Sequence, residues 1–333
     1  MERVTNLSAA LPGNNAAPLK PRKSYDSLPF YGRIWRDVTG SPVLYVMLLP
    51  VLAYYILFRY KPMYGVLIAF TDYYPGSPIL DPESWVGLRN FTDFFKSRDA
   101  FRVIANTLTI NLSTIAFGFP MPIIFALLLN ELRSVRFSRV IQTISYLPHF
   151  ISLVVICGLI RTFVGGYGFV QQIFNALGFV EKGVSLLNFA KYFVPIYVTS
   201  DIWQGMGYSS IVFLAALTGV NPELYEAATV DGANRWRRMY HITLPGIMPT
   251  IITMLLLRMG SVMTVGHEKI ILLYGPTTYE TADVISSFIY RVGLQQARFS
   301  FSTAVGLFNS VVNIVTLIIA NWVSRRLTDI SLW

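Results

Sequence analysis

Six long apolar runs, separated by polar connectors, dominate the pattern along this chain of 333 residues. The first is Val43–Tyr60. The others cover about Ile104–Leu129, Val140–Phe163, Tyr192–Val220, Gly246–Leu273 and Phe301–Val323. Each is near or above the ~20 residues an α-helix needs to cross bilayer hydrocarbon. Backbone groups in lipid have no water to bond, so such a run must close its hydrogen bonds internally as a helix. The sequence lacks the alternating segments of about ten residues that mark a membrane β-barrel. The predicted fold class is an all-α polytopic membrane protein with six transmembrane helices. Pro120 and Pro122 in the second run and Pro148 in the third predict kinks.

Composition agrees: 53% of residues are hydrophobic and 14% charged, against about a quarter charged in soluble domains. The net charge of +9 raises the question of nucleic acid, but most of the excess sits on short connectors beside apolar runs. That is the positive-inside pattern, so no nucleic-acid partner is expected. Lys and Arg on the tail before Val43, at Arg133, Arg136 and Arg139, at Arg235, Arg237 and Arg238, and at Arg325 and Arg326 outweigh those on the alternate connectors. Both termini are therefore predicted inside. The polar tail, about residues 1–40 and rich in Pro, Asn, Lys and Arg through Ser27, is expected to be partly disordered. Residues 41–103 comprise the first span and an outer loop with a small amphipathic helix near Phe94, 104–323 the remaining bundle, and 324–333 a short inner tail.

Cys157 is the only cysteine and lies in an apolar run, which excludes an internal disulfide and a cysteine metal cluster. His267 has no second His at i+4, so no metal site is expected. No HExxH, paired catalytic carboxylates, nucleophile motif or GxxxxGK[ST] phosphate loop occurs, and no catalytic residues are expected.

The connector between the fourth and fifth runs is the most specific feature. Asn221-Pro222-Glu223 is a helix start: Asn caps, Pro suits the first helical position, and Glu suits the positive end of the dipole. Asp231-Gly232 ends that helix. A second short helix is predicted over about Ala233–Tyr240, and Leu244-Pro245 then restarts the chain into the fifth span. Ala227 and Ala228 permit close approach of another backbone, and Glu226 can accept charge-assisted bonds. The arginines of this loop can face acidic protein or lipid headgroups.

Glu226-Ala227-Ala228, three residues, Gly232, nine residues, then Ile242-x-Leu244-Pro245 resembles the EAA loop of bacterial ABC importer permeases. Glu268–Pro276, Glu280–Ile285 and Tyr290–Leu294 are similar to the carbohydrate-uptake branch, in particular the LplB-like oligosaccharide or polysaccharide permeases. The resemblance covers nearly the whole chain from about Ser41. It implies the type I ABC importer transmembrane fold in a bacterial cell membrane, with the EAA loop at 221–245. It implies as partners a second permease subunit (usually a distinct chain), two ABC ATPase subunits, an extracellular solute-binding protein and a carbohydrate. ATP-Mg would be bound by the ATPases, and this chain would carry no cofactor. Glu226 would be the docking acid, Ala227 and Ala228 the close-contact face, and Gly232 the bend, with Asp231, Arg235, Leu244 and Pro245 completing the coupling element.

Polar residues in the spans are candidates for the substrate pathway. Asp201 is costly in lipid and should face the interior or a partner. Trp203 and Tyr208 can stack on sugar faces, Gln204 can bond hydroxyls, and nearby Gly205 and Gly207 suit close helix packing. In the fifth run, Arg258 and His267 are placed in the pathway, and Glu268 and Lys269 at the outer interface. Competing readings are an importer of amino acids, peptides or phosphate, an ion-coupled carrier needing a carboxylate relay, and an intramembrane enzyme.

Overall fold

The computed structural model describes Pro29, Tyr31 and residues 39–79, 81–328 and 330–333. The expectation for the tail falls almost wholly outside these residues. The chain divides into two units, Met1–Tyr64 and Gly65–Trp333. No named strand occurs among the described residues; a single isolated bridge pairs Thr71 with Trp85.

Among the described residues, five helical stretches are long and apolar enough to cross a membrane: Pro42–Phe70, Arg98–Asn130, Leu153–Ala176, Arg235–Met259 and Phe299–Thr328. In chain order, α1 is Pro42–Phe70, α2 Arg89–Lys96, α3 Arg98–Asn130, α4 Val135–Phe150, α5 Leu153–Val164 and α6 Phe169–Ala176. Then follow α7 Ala190–Leu217, α8 Pro222–Val230, α9 Arg235–Met259, α10 His267–Leu273, α11 Tyr279–Ala282, α12 Ile285–Ile289 and α13 Phe299–Thr328. The predicted fourth span is α7, a 28-residue helix that is long enough but falls short in apolar character. Asp201, Gln204 and a run of Gly, Tyr and Ser dilute it.

Two predicted spans differ from the structure. The third span falls across a break: α4 ends two residues after Pro148, Ile151 is extended, and the Ser152 hydroxyl caps α5. The fifth span begins and ends earlier than predicted, because Arg235–Met259 is one helix and the chain turns at 260–266 before α10. The predicted restart at Leu244-Pro245 is therefore not a break. A π-turn, Met239–Thr243, runs into Pro245. The same device precedes Pro62 at Ile56–Tyr60 and Pro120 at Thr114–Gly118. A wider turn accommodates a ring that lacks an N–H without ending the helix.

Three apolar clusters hold the second unit together. One joins Ile110 of α3, Ile156 and Ile160 of α5, Phe193 and Tyr197 of α7, and Ile270 and Leu273 of α10. Another gathers Phe94 of α2, Val103 of α3, Phe288 of α12 and Phe301 and Val305 of α13. The third joins Ile123 and Ala126 of α3, Phe213 and Leu217 of α7 and Ile247 of α9. The predicted amphipathic helix is α2, anchored by Phe94 against Phe288, Phe301 and Phe308. Gly207 of α7 lies against α4 so closely that a Cβ there would sit 2.2 Å from the Ser145 carbonyl oxygen.

Between α9 and α13 the chain is stitched by polar bonds. Asn106 of α3 donates to the carbonyls of Glu280 and Asp283, both at 2.9 Å. The Ile285 N–H donates to the Thr107 hydroxyl at 2.9 Å. The buried Asp283 carboxylate accepts from Ser287 and pairs with Arg291 and Arg102. This segment carries the motif similar to the carbohydrate branch.

Candidate functional site

The connector after α7 folds as an elbow. Asn221 accepts from the Glu223 N–H at 3.0 Å and caps α8, with Pro222 in its first turn. Asp231 closes the helix and Gly232 turns it at φ +76°. The Gly232 N–H donates to the Thr229 carbonyl and the Ala233 N–H to the Ala228 carbonyl. These paired bonds form a Schellman stop, which requires the left-handed residue glycine supplies. Asn234 then caps the first turn of α9 by accepting from the Arg237 N–H at 2.9 Å. The predicted second short helix is therefore the first turn of the fifth span.

Two side-chain bonds tie α8 back onto α9. The Tyr225 hydroxyl donates to Thr243 Oγ1 at 3.0 Å, and Arg238 donates to Thr229 Oγ1 at 2.8 Å. Thr243 is only 1% exposed, so that bond anchors the elbow to the packed base of the fifth helix. Glu226, Ala227, Asp231, Gly232 and Arg235 are exposed and Ala228 is half-buried. Leu244 is half-buried and Pro245 exposed, both past the π-turn. Sequence reading missed Tyr225 and Thr243. Their only signal was a hydroxyl-bearing residue on each side of the bend.

A cavity of about 360 Å³ lies between α3, α7 and α9. Asp201 and Tyr208 of α7 and Arg258 of α9 line it, with Thr114, Gly118 and Pro122 opposite. Asp201, Gly205, Tyr208, Ser209 and Val212 all face it, the spacing of one helical face. Trp203 does not join them: it lines a separate cavity of about 500 Å³ with Leu159, Phe163, Pro195 and Ile196. Two residues along a helix turn a side chain roughly 200° away, which removes Trp203 from the Asp201 face. Gln204 lines neither cavity. His267 lies at the start of α10, stacked on Tyr290 with centroids 6.2 Å apart.

Lys269, expected at the outer interface, is enclosed by protein rather than exposed. Its ammonium is 3.3 Å from Asp201 Oδ1, and its side chain is 5% exposed against 41% for the aspartate. It also donates to the Tyr197 carbonyl at 3.4 Å and lies 4.6 Å from the Tyr197 ring centroid. Two intramembrane charges of opposite sign were the available signal for this pair.

Residues 118–329 match the family described as the binding-protein-dependent transport system inner membrane component. The chain is 43% identical over 284 residues to Protein LplB of Bacillus subtilis, covering 85% of this chain and 88% of that one. It is 42% identical over 285 residues to the polygalacturonan/rhamnogalacturonan transport system permease protein YteP of the same organism, with the same coverage. Among solved structures, it is similar to a chain of a bacterial ABC transporter involved in import of the acidic polysaccharide alginate. That likeness has a TM-score of 0.80 and 47% identity, covering 89% of this chain and 99% of that one. A second structure of a bacterial alginate ABC transporter, in complex with an alginate pentasaccharide-bound periplasmic protein, matches with a TM-score of 0.81 and 46% identity over 90% of this chain. With its membrane helices and an elbow placed where the EAA resemblance predicts it, the chain belongs to the binding-protein-dependent transport system inner membrane components and is a multi-pass ABC transporter permease.

Proposed function

We propose that this permease forms half of the pathway of an ATP-driven carbohydrate importer in a bacterial cell membrane, both termini cytoplasmic. A second permease completes the pathway, two ATPase subunits bind ATP-Mg, and an extracellular binding protein delivers the glycan. The elbow carries the reading: an exposed Glu226 helix, stopped at Gly232 and tied to the base of α9 by Tyr225 and Arg238. An element that transmits force needs such fixed attachments, because a partner shifts a conformational equilibrium only through contacts that differ between states. Relatives whose names specify polygalacturonan/rhamnogalacturonan or alginate transport support a glycan as cargo. An ion-coupled carrier would need buried carboxylates arranged as a relay, whereas Asp201 is paired with Lys269, Asp283 with Arg102 and Arg291, and Glu268 is exposed.

The test is uptake of labelled oligosaccharide into vesicles holding the assembled importer. Glu226→Ala and Gly232→Pro should insert normally but lower ATP-driven uptake about tenfold or more, the scale of a typical coupling energy. Full uptake by Gly232→Pro would refute the coupling role.

A further inference from the structure

We infer that Arg258 makes this half of the pathway select glycans bearing carboxylates, and that Lys269 enables it by neutralising Asp201. The inference deepens the importer reading and rests on it. Thr114, on the cavity wall, lies about 24 Å along α3 from each end of Arg98–Asn130, taking 1.5 Å per residue. The cavity is therefore near the middle of the bundle, where an ionisable side chain is expensive and usually marks a pathway. Two charged residues line it, Asp201 and Arg258.

Their circumstances differ. Asp201 is compensated from behind by Lys269, itself enclosed by the Tyr197 ring and carbonyl. Arg258 has no ion pair and no side-chain hydrogen bond among the described residues, and its side chain is exposed. Its place in the last turn of α9 makes a cation tolerable, since a helix C-terminus carries about half a negative charge. That does not supply a counter-ion, nor explain why the guanidinium borders a mid-depth cavity. The cavity wall is thus left with one net positive charge. A planar guanidinium offers paired donors that match a carboxylate, and a neutral sugar hydroxyl cannot return the charge. A uronate residue entering the cavity supplies the missing anion. Tyr208, on the same face, has one side of its ring stacked on His149 with centroids 3.9 Å apart, which fixes the ring at the cavity wall.

The experiment uses the complete importer in liposomes, with two oligosaccharides of equal length: a polyuronate and its partly carboxyl-reduced counterpart. One binding protein serves every variant, so its own preference cancels when variants are compared. Arg258→Gln should lower the ratio of uronate to reduced-glycan uptake about tenfold, the loss of one charge-assisted bond. Arg258→Lys should keep most of the ratio. Lys269→Met should also depress it by exposing the Asp201 charge, and Asp201→Asn in that background should restore it. The inference is overturned if Arg258→Gln lowers both glycans alike or disrupts recovery of the permease pair, which would make Arg258 a subunit contact. It is also overturned if wild type carries both equally, although the importer reading would then stand. If wild type carries no glycan but takes up another solute, both fall.

Discussion

Asp201 and Trp203 stand two positions apart and lie on opposite sides of α7. Their residue types marked both as pathway candidates, yet only Asp201 reaches the cavity with Tyr208 and Arg258. Helical phase contained that distinction, since Asp201, Gly205 and Tyr208 fall in step and Trp203 does not. Lys269 was harder to place, because its partner is 68 residues away in sequence and the turn between α9 and α10 leaves little periodic trace. The glycines divide in the same way. Gly207 is the close contact between α4 and α7, whereas Gly205 lines the cavity. Gly207→Ala should destabilise the protein by about 1–3 kcal/mol through overpacking against backbone, read as earlier thermal unfolding in detergent. Gly158→Ala, where a Cβ would meet nothing within 4 Å, should leave the midpoint unchanged or raise it.

Among elements, helix starts and stops were more legible than span limits. Asn221, Pro222 and Gly232 act as their chemistry dictates, because capping is decided by neighbours in sequence. The fifth span was displaced because Pro245 reads as a boundary. The π-turn at Met239–Thr243 converts it into an interior position, and that accommodation has no signature in hydropathy. The third span failed in the opposite sense: apolar character runs through Ile151 and Ser152 while the backbone breaks there. The Tyr225–Thr243 bond yields a test of the elbow as one piece. Tyr225→Phe and Thr243→Val should each lower glycan uptake per ATP hydrolysed while the ATPases still co-purify. Combined, they should fall short of additive by about 1 kcal/mol, the sign of residues that act together. Full additivity would mean the hydroxyl contact carries no coupling.

At the scale of the molecule, apolar runs were enough to recognise a helical membrane protein. The EAA spacing was enough to name the family, and the relatives bear both out. The folded segment between α9 and α13 was legible only by resemblance, because its helices are short: buried residues such as Ile270, Leu273 and Phe288, together with bonds to α3, hold it without one long periodic apolar face. Orientation can be tested directly, since the single native cysteine, Cys157, is buried. Val230, 88% exposed at the elbow, and Tyr74, 66% exposed in the loop after α1, are suitable labelling sites. Val230→Cys should react with a membrane-impermeant thiol reagent only in inside-out vesicles, and Tyr74→Cys only in right-side-out ones. The reverse pattern would place the elbow beyond reach of any cytoplasmic motor. One further consequence comes from Arg235–Met259 being a continuous helix, about 37 Å long at 1.5 Å per residue. If the elbow takes a thrust as proposed, that thrust would pass along this one helix from Thr243 toward Arg258, and a stroke that moves the inner end would then also reposition the guanidinium against its cargo.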